Sequence, residues 1–268
     1  MIEIVFHIEK GAIMIFIFIL VFLSALANVL GGLLVVARKT WSEQSIGKLL
    51  GFSAGFLVAI ALLDLIPESL EIHEANAFFI LLGLLSVYFL GLATSGHNHG
   101  EMTLHHAHGT SRHGATGLLG GMLIHTFFDG ASIVAAFDVD HHIGVLVFLA
   151  VIRHKIPDGL TIATLIMANT KNRSKAMWSS AALGISTLVG AIFMAFLLAL
   201  NVPWNPEELA AIALAFSAGA FLFVAIGDIL PEIHHQSKAV VTWSVLLGIA
   251  VYIVTSGLLS VSGIGHHH

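Results

Sequence analysis

Two copies of one short pattern decide how this chain is read: His125-Thr126-Phe127-Phe128-Asp129-Gly130 and, 29 residues on, His154-Lys155-Ile156-Pro157-Asp158-Gly159. Both lie between Leu119 and Met167, in apolar runs near 115–137 and 143–167. Each run is long enough to cross a bilayer as a helix. A His and an Asp four residues apart sit one above the other on a helical face. Each motif is about ten residues from either end of its run, which at about 1.5 Å per residue places all four side chains near mid-membrane. Ionisable groups at that depth are costly and mark ion paths or relays. Two His and two Asp meeting between two helices form an imidazole–carboxylate cage suited to a divalent transition metal.

Composition supports the membrane reading. Of 268 residues, 57% are hydrophobic and only 10% charged, and the mean hydropathy is +0.95. A soluble domain carries about 25% charged residues. The 26 glycines suit close helix–helix contact. Cysteine is absent, which excludes disulfides, thiolate metal sites and a Cys nucleophile. The net charge of −5, with no basic patch, gives no expectation of a nucleic-acid partner. The first span lacks a small-residue cleavage site and reads as a retained helix.

Eight spans are expected, near 11–37, 47–67, 76–95, 115–137, 143–167, 176–200, 208–230 and 240–263. Arg38, Lys39, Lys48, Arg112, Lys171, Arg173, Lys175 and Lys238 gather on one set of alternate loops. Glu71, Glu74, Asp138, Asp140, Glu207 and Glu208 gather on the other. The basic side is then cytoplasmic and both termini extracytoplasmic. Arg153 and Lys155 flank His154 inside a span, where they need anionic partners.

An offset of 164 residues pairs Phe52-Ser53-Ala54-Gly55 with Phe216-Ser217-Ala218-Gly219, Asp64 with Asp228, and Pro67-Glu68 with Pro231-Glu232. The two members lie five spans apart and so run in opposite directions. Inverted repeats are a transporter signature, with the substrate site at mid-membrane. The expected fold is therefore an all-α integral membrane protein, eight transmembrane helices in an inverted 3+2+3 bundle. It forms one domain over 1–268, with a His-rich cytoplasmic loop at 96–114 carrying His97, His99, His105, His106, His108 and His113.

The two motifs, the Pro-Glu ends of spans two and seven, and the His-rich loop resemble the ZIP (Zrt-, Irt-like protein) metal transporters over essentially the whole chain. The resemblance implies eight spans, extracellular termini, and movement of Zn²⁺, and often Fe²⁺, Mn²⁺ or Cd²⁺, towards the cytoplasm from a centre between spans four and five. Matched motif by motif, it implies His125, Asp129, His154 and Asp158 as metal ligands. Many members hold two metals, using an Asn after the first His, a polar or acidic residue after the second, and a Glu on span six. Here those positions read Thr126, Lys155 and, if Ser186-Thr187-Leu188-Val189-Gly190 is the matching segment, Thr187. One metal per site is therefore expected.

Asp64 and Glu68 on span two, and Asp228, Glu232, His234 and His235 on span seven, are expected to form a pseudo-symmetric path or gate, with Lys155 beside the metal. Pro157 frees the carbonyl of Arg153, either to help an ion pass or only to mark a kink. No cofactor is expected. The expected partners are divalent metal ions and the lipid bilayer, with a homodimer left open, and the expected location is the cell (plasma) membrane. Two rivals remain: a metal exporter of the cation-diffusion type, which has six spans and a soluble domain, and an intramembrane zinc hydrolase. The hydrolase needs an open metal position and a separate base, and no other Asp or Glu is expected at that depth.

Overall fold

The computed structural model describes residues 2–94, 112–200, 205–234 and 236–261, and within these it is helical apart from short turns. The rods are α1 (Ile2–Ala37), α2 (Glu43–Ile72), α3 (Ala77–Thr94), α4 (Arg112–Val139), α5 (His141–Thr170), α6 (Arg173–Ala199), α7 (from Pro206 to Glu232) and α8 (Lys238–Val261). Their ends follow local chemistry. Asp140, the single residue between α4 and α5, accepts hydrogen bonds from the amides of His142 (2.7 Å) and Ile143 (3.3 Å) and so caps α5. Asn172 caps α6 through the amide of Lys175 at 3.0 Å. Asn205 caps α7 ahead of Pro206, with Glu207 and Glu208 in the first turn, where the helix dipole favours them.

Seven of these helices are long and apolar enough to cross a membrane by length and composition. The helix outside that set is α5, because every 18-residue window of it holds Arg153, Lys155 and Asp158. It packs against α1, α2, α4 and α6, and His154, Lys155 and Asp158 are buried among them. Exposed apolar side chains such as Leu34, Phe89, Phe196 and Ile253 cover the outside, as expected for a surface in contact with lipid. The loop expected over 96–114 is shorter than expected, since Arg112, His113 and Gly114 already form the first turn of α4. His97, His99, His105, His106 and His108 fall outside the described residues, as do His235 and the terminal histidines.

The rods form two groups of four. α1, α4, α5 and α6 pack together, as do α2, α3, α7 and α8; α4 against α7 and α3, and α5 against α2, join the groups. Four crossings hold the groups, each with a glycine from both helices. A Cβ on Gly130 would collide with the carbonyl of Thr187, and one on Gly190 with that of Phe127, where α4 crosses α6. Gly31 and Gly159 do the same for α1 and α5, Gly55 and Gly248 for α2 and α8, and Gly83 and Gly219 for α3 and α7. In lipid, burying apolar surface gives little drive for helices to associate, so close backbone approach at small residues supplies the contact.

The sequence repeat has a structural counterpart. α2 and α7 each pass through a π-helical turn, Ala61–Leu65 and Phe223–Ile229, and each turn contains the repeat-matched aspartate, Asp64 or Asp228. Such turns break the regular hydrogen-bond ladder and frequently occur at functional sites. α2 runs from Lys48 towards Glu71, whereas α7 runs from Glu207 towards Lys238, opposite directions relative to the acidic and basic ends.

Candidate metal centre

The motifs on α4 and α5 face one another. One ligand atom from each of His125, Asp129, His154 and Asp158 lies within 4.8 Å of all the others, and all four residues are buried. Nε2 of His125 is 2.9 Å from Oδ2 of Asp129 and 3.6 Å from Oδ2 of Asp158. Nε2 of His154 is 3.3 Å and 3.9 Å from the same two oxygens. Four donors around one ion at about 2.1 Å and tetrahedral angles stand about 3.4 Å apart.

Hydrogen bonding gives the same picture from another direction. Nδ1 of His154 lies 3.1 Å from the carbonyl of Ala150. A carbonyl only accepts, so Nδ1 carries a proton, which leaves Nε2, 3.3 Å from Oδ2 of Asp129, as the nitrogen turned to the carboxylates. Both nitrogens of His125 and both oxygens of Asp158 are buried without a hydrogen bond; the short His125–Asp129 approach is not aligned as one. Each orphaned buried polar group costs about 1–3 kcal/mol. A cation among these lone pairs would satisfy them together.

Lys155 is wholly buried. Its ammonium hydrogen-bonds the Asp129 carboxylate and lies 4.0 Å from Oδ2 of Asp158. It thus places a fixed positive charge beside both carboxylates. Thr126 and Thr187 donate their hydroxyls to the carbonyls of Leu123 and Leu183, each at 3.1 Å. α5 continues helically through Pro157, whose carbonyl accepts from the hydroxyl of Thr161 at 2.7 Å.

A cavity of about 200 Å³ reaches the centre from the acidic end. Ile72, Val139, Ile143 and Glu207 line its outer part, Asp64 and Glu68 its flank, and Asp129, Ser132 and His154 its floor. The structure thus brings Asp64 and Glu68 together with the centre. It does not bring Asp228, Glu232 or His234 there; they lie at the basic end of α7, Asp228 two turns past Phe221. Glu71 and Glu74 sit in ordinary helix ends, and His73 uses Nδ1 to accept from the amide of Ala75 at 3.1 Å.

Two features escaped the sequence reading. The ring of Phe221 packs 4.0 Å from that of His125 and 6.2 Å from that of His154, and an apolar residue in an apolar span carries no signal of that contact. The second is the pairing of Arg153 with Asp64. The need of Arg153 for an anion was legible, but not which anion.

The family model described as ZIP Zinc transporter matches residues 90–256, more than half of the chain. Zinc transporter ZIP13 of Pongo abelii is 29% identical over 206 residues, which cover 70% of this chain and 59% of that protein. Zinc transporter ZupT of Corynebacterium efficiens is 28% identical over 81% of this chain and 87% of its own length. Zinc transporter ZupT of Corynebacterium aurimucosum is 25% identical over 91% and 97%. With the duplicated His/Asp motif seated between α4 and α5 inside an all-helical membrane fold, the match over residues 90–256 places this chain in the ZIP family.

Proposed function

We propose that the protein carries a divalent transition metal, Zn²⁺ first among them, across the membrane from its acidic face into the cytoplasm. The ion is held at mid-membrane by His125, Asp129, His154 and Asp158. The observation that carries this reading is the set of converging, buried and unsatisfied donor atoms on His125 and Asp158. The names of the relatives, all zinc transporters, agree with it. Two observations support this direction: eight cations gather at one end, as the positive-inside rule expects of a cytoplasmic face, and the cavity reaches the centre from the opposite, acidic end. In this reading α5 is an eighth span, its charges shielded by α1, α2, α4 and α6.

Lys155 keeps the centre to one metal. With neutral imidazoles, Asp129, Asp158 and Lys155 leave the empty centre one negative charge, and one divalent ion turns it to one positive. A second divalent ion would raise it to three at mid-membrane, where uncompensated charge is costly. Residual repulsion from the ammonium weakens the bound state, and transport requires binding weak enough for release.

Purified protein in liposomes, loaded with a panel of divalent ions with and without a pH gradient, tests the proposal. Zn²⁺ is expected to enter saturably, and the double variant His154→Ala/Asp158→Ala to lose uptake entirely while staying folded in the membrane. Undiminished Zn²⁺ uptake by that variant would remove the four residues from the path.

A further inference from the structure

Arg153 precedes the metal-ligand motif on α5 but points its charge away from the centre. Its guanidinium forms an ion pair with the carboxylate of Asp64 on α2, both side chains being largely buried, 10% and 19% exposed. Its Cζ also lies 5.0 Å from the ring centroid of Tyr252 on α8, within cation–π range. Tyr252 is itself fixed, edge-on to Phe56 of α2 at 5.8 Å. Both partners of Arg153 therefore come from the α2, α3, α7, α8 group, while Arg153 belongs to the other. Asp64 sits in the π-helical turn of α2 and lines the cavity that ends at Asp129 and His154.

The repeat shows that this contact exists on one side only. The 164-residue offset turns Asp64 into Asp228, and the 29-residue offset between the motifs turns Arg153 into Ile124. Among the described residues no cation pairs with Asp228. An apolar isoleucine thus stands where symmetry would put a second arginine. The pair belongs to the conformation whose cavity faces the acidic end.

We propose that the Arg153–Asp64 pair is a latch between the two helix groups, holding the metal-free protein open at its acidic end, and that a divalent cation releases it by taking the Asp64 carboxylate on its way to the centre. The proposal deepens the transport reading and rests on it for the second half. A largely buried carboxylate whose arginine is removed stays buried and unpaired, so it must find another cation or move towards water. A divalent ion arriving in the cavity is such a cation, and it competes for Asp64 with twice the charge of a guanidinium. The guanidinium it displaces keeps the face of Tyr252. A repeat partner without arginine leaves the state open at the basic end with no equivalent bond, so the empty protein rests in the state that meets fresh metal.

The test uses the absence of native cysteine. Ser132, at the floor of the cavity, is replaced by Cys in the full chain, reconstituted in liposomes and labelled by a membrane-impermeant thiol reagent from the acidic side with a chelator present. The parent S132C chain is expected to label rapidly. R153I, which copies the residue at position 124, is expected to label about five- to tenfold more slowly, because the open state loses population, and R153K to label near the parent rate. R153I/D64N leaves no unpaired buried charge, so it reads the latch even if R153I alone fails to fold; it is expected to label as slowly as R153I. Labelling of R153I/D64N at the parent rate overturns the latch. Zn²⁺ uptake by the parent is measured in the same liposomes: its absence alongside the labelling difference would remove the transport reading and leave the latch standing.

Discussion

The two sides of the metal centre are built from the same repeated sequence and look different. Towards the acidic end, Asp64 faces a cavity that reaches Asp129 and His154. Towards the basic end, Leu57, Phe221, Val224, Ile162 and Leu165 close into one core, and Phe221 lies against both imidazoles. The residues that the repeat keeps identical, the Phe-Ser-Ala-Gly segments, the aspartates and the Pro-Glu pairs, do not account for this difference. The repeat departs from itself where the two sides differ: Arg153 against Ile124, and Phe221 against Leu57. On the proposed latch, identity across the repeat builds the frame, and these exceptions bias which side opens.

The largest effect should come from asking whether the two sides really face opposite solutions. Single cysteines replacing Asp64 and Asp228 are expected to react with a membrane-impermeant thiol reagent from opposite faces, in an all-or-none manner. Reaction of both from one face would end the inverted arrangement and the comparison with it.

The next largest concerns the centre that both sides share. Lys155→Glu removes the ammonium from Asp129 and adds a carboxylate. Two unit charges about 4 Å apart at an effective dielectric of about 20 interact by about 4 kcal/mol, so divalent binding is expected to tighten by about tenfold or more. A second metal position and slower turnover are expected with it. Equilibrium metal counting on the purified variant decides the matter; one weaker metal per chain would make Lys155 a structural partner of the aspartates.

The glycine crossings sharpen the comparison, because here the two repeats should behave alike. Gly130→Ala and Gly159→Ala each push a methyl group into a carbonyl on the neighbouring helix. Each is expected to cost about 1–3 kcal/mol, read as a lower unfolding temperature in detergent. Gly91→Ala meets open space and should leave that temperature unchanged.

The smallest effect is expected from Phe221→Leu, which copies Leu57 and makes the two sides more alike. It thins the packing over His125 without creating the cavity that alanine would leave. Turnover or KM for Zn²⁺ is expected to change by about two- to fivefold, with metal stoichiometry unchanged. Loss of stoichiometry would place the ring among the groups that shape the ligands.

Much of the centre is legible in residue order alone. His125 with Asp129, and His154 with Asp158, share a face because helical backbone geometry sets i and i+4 neighbours locally, and no tertiary contact is needed to know it. The inverted repeat and the segregation of charge to the two ends were likewise present in residue order, as was the need of Arg153 and Lys155 for buried anions. Which anion each took was not. Lys155 took Asp129 and Arg153 took Asp64, and that choice depends on the register between helices far apart in sequence. The register is set where glycines let backbones touch, and a glycine on its own helix does not say which partner it will meet. Nor does the repeat say which side stands open, because two packings of one frame satisfy the same local rules. Only the packed structure, with Phe221 seated on the imidazoles and Arg153 reaching across to Asp64, decides between them.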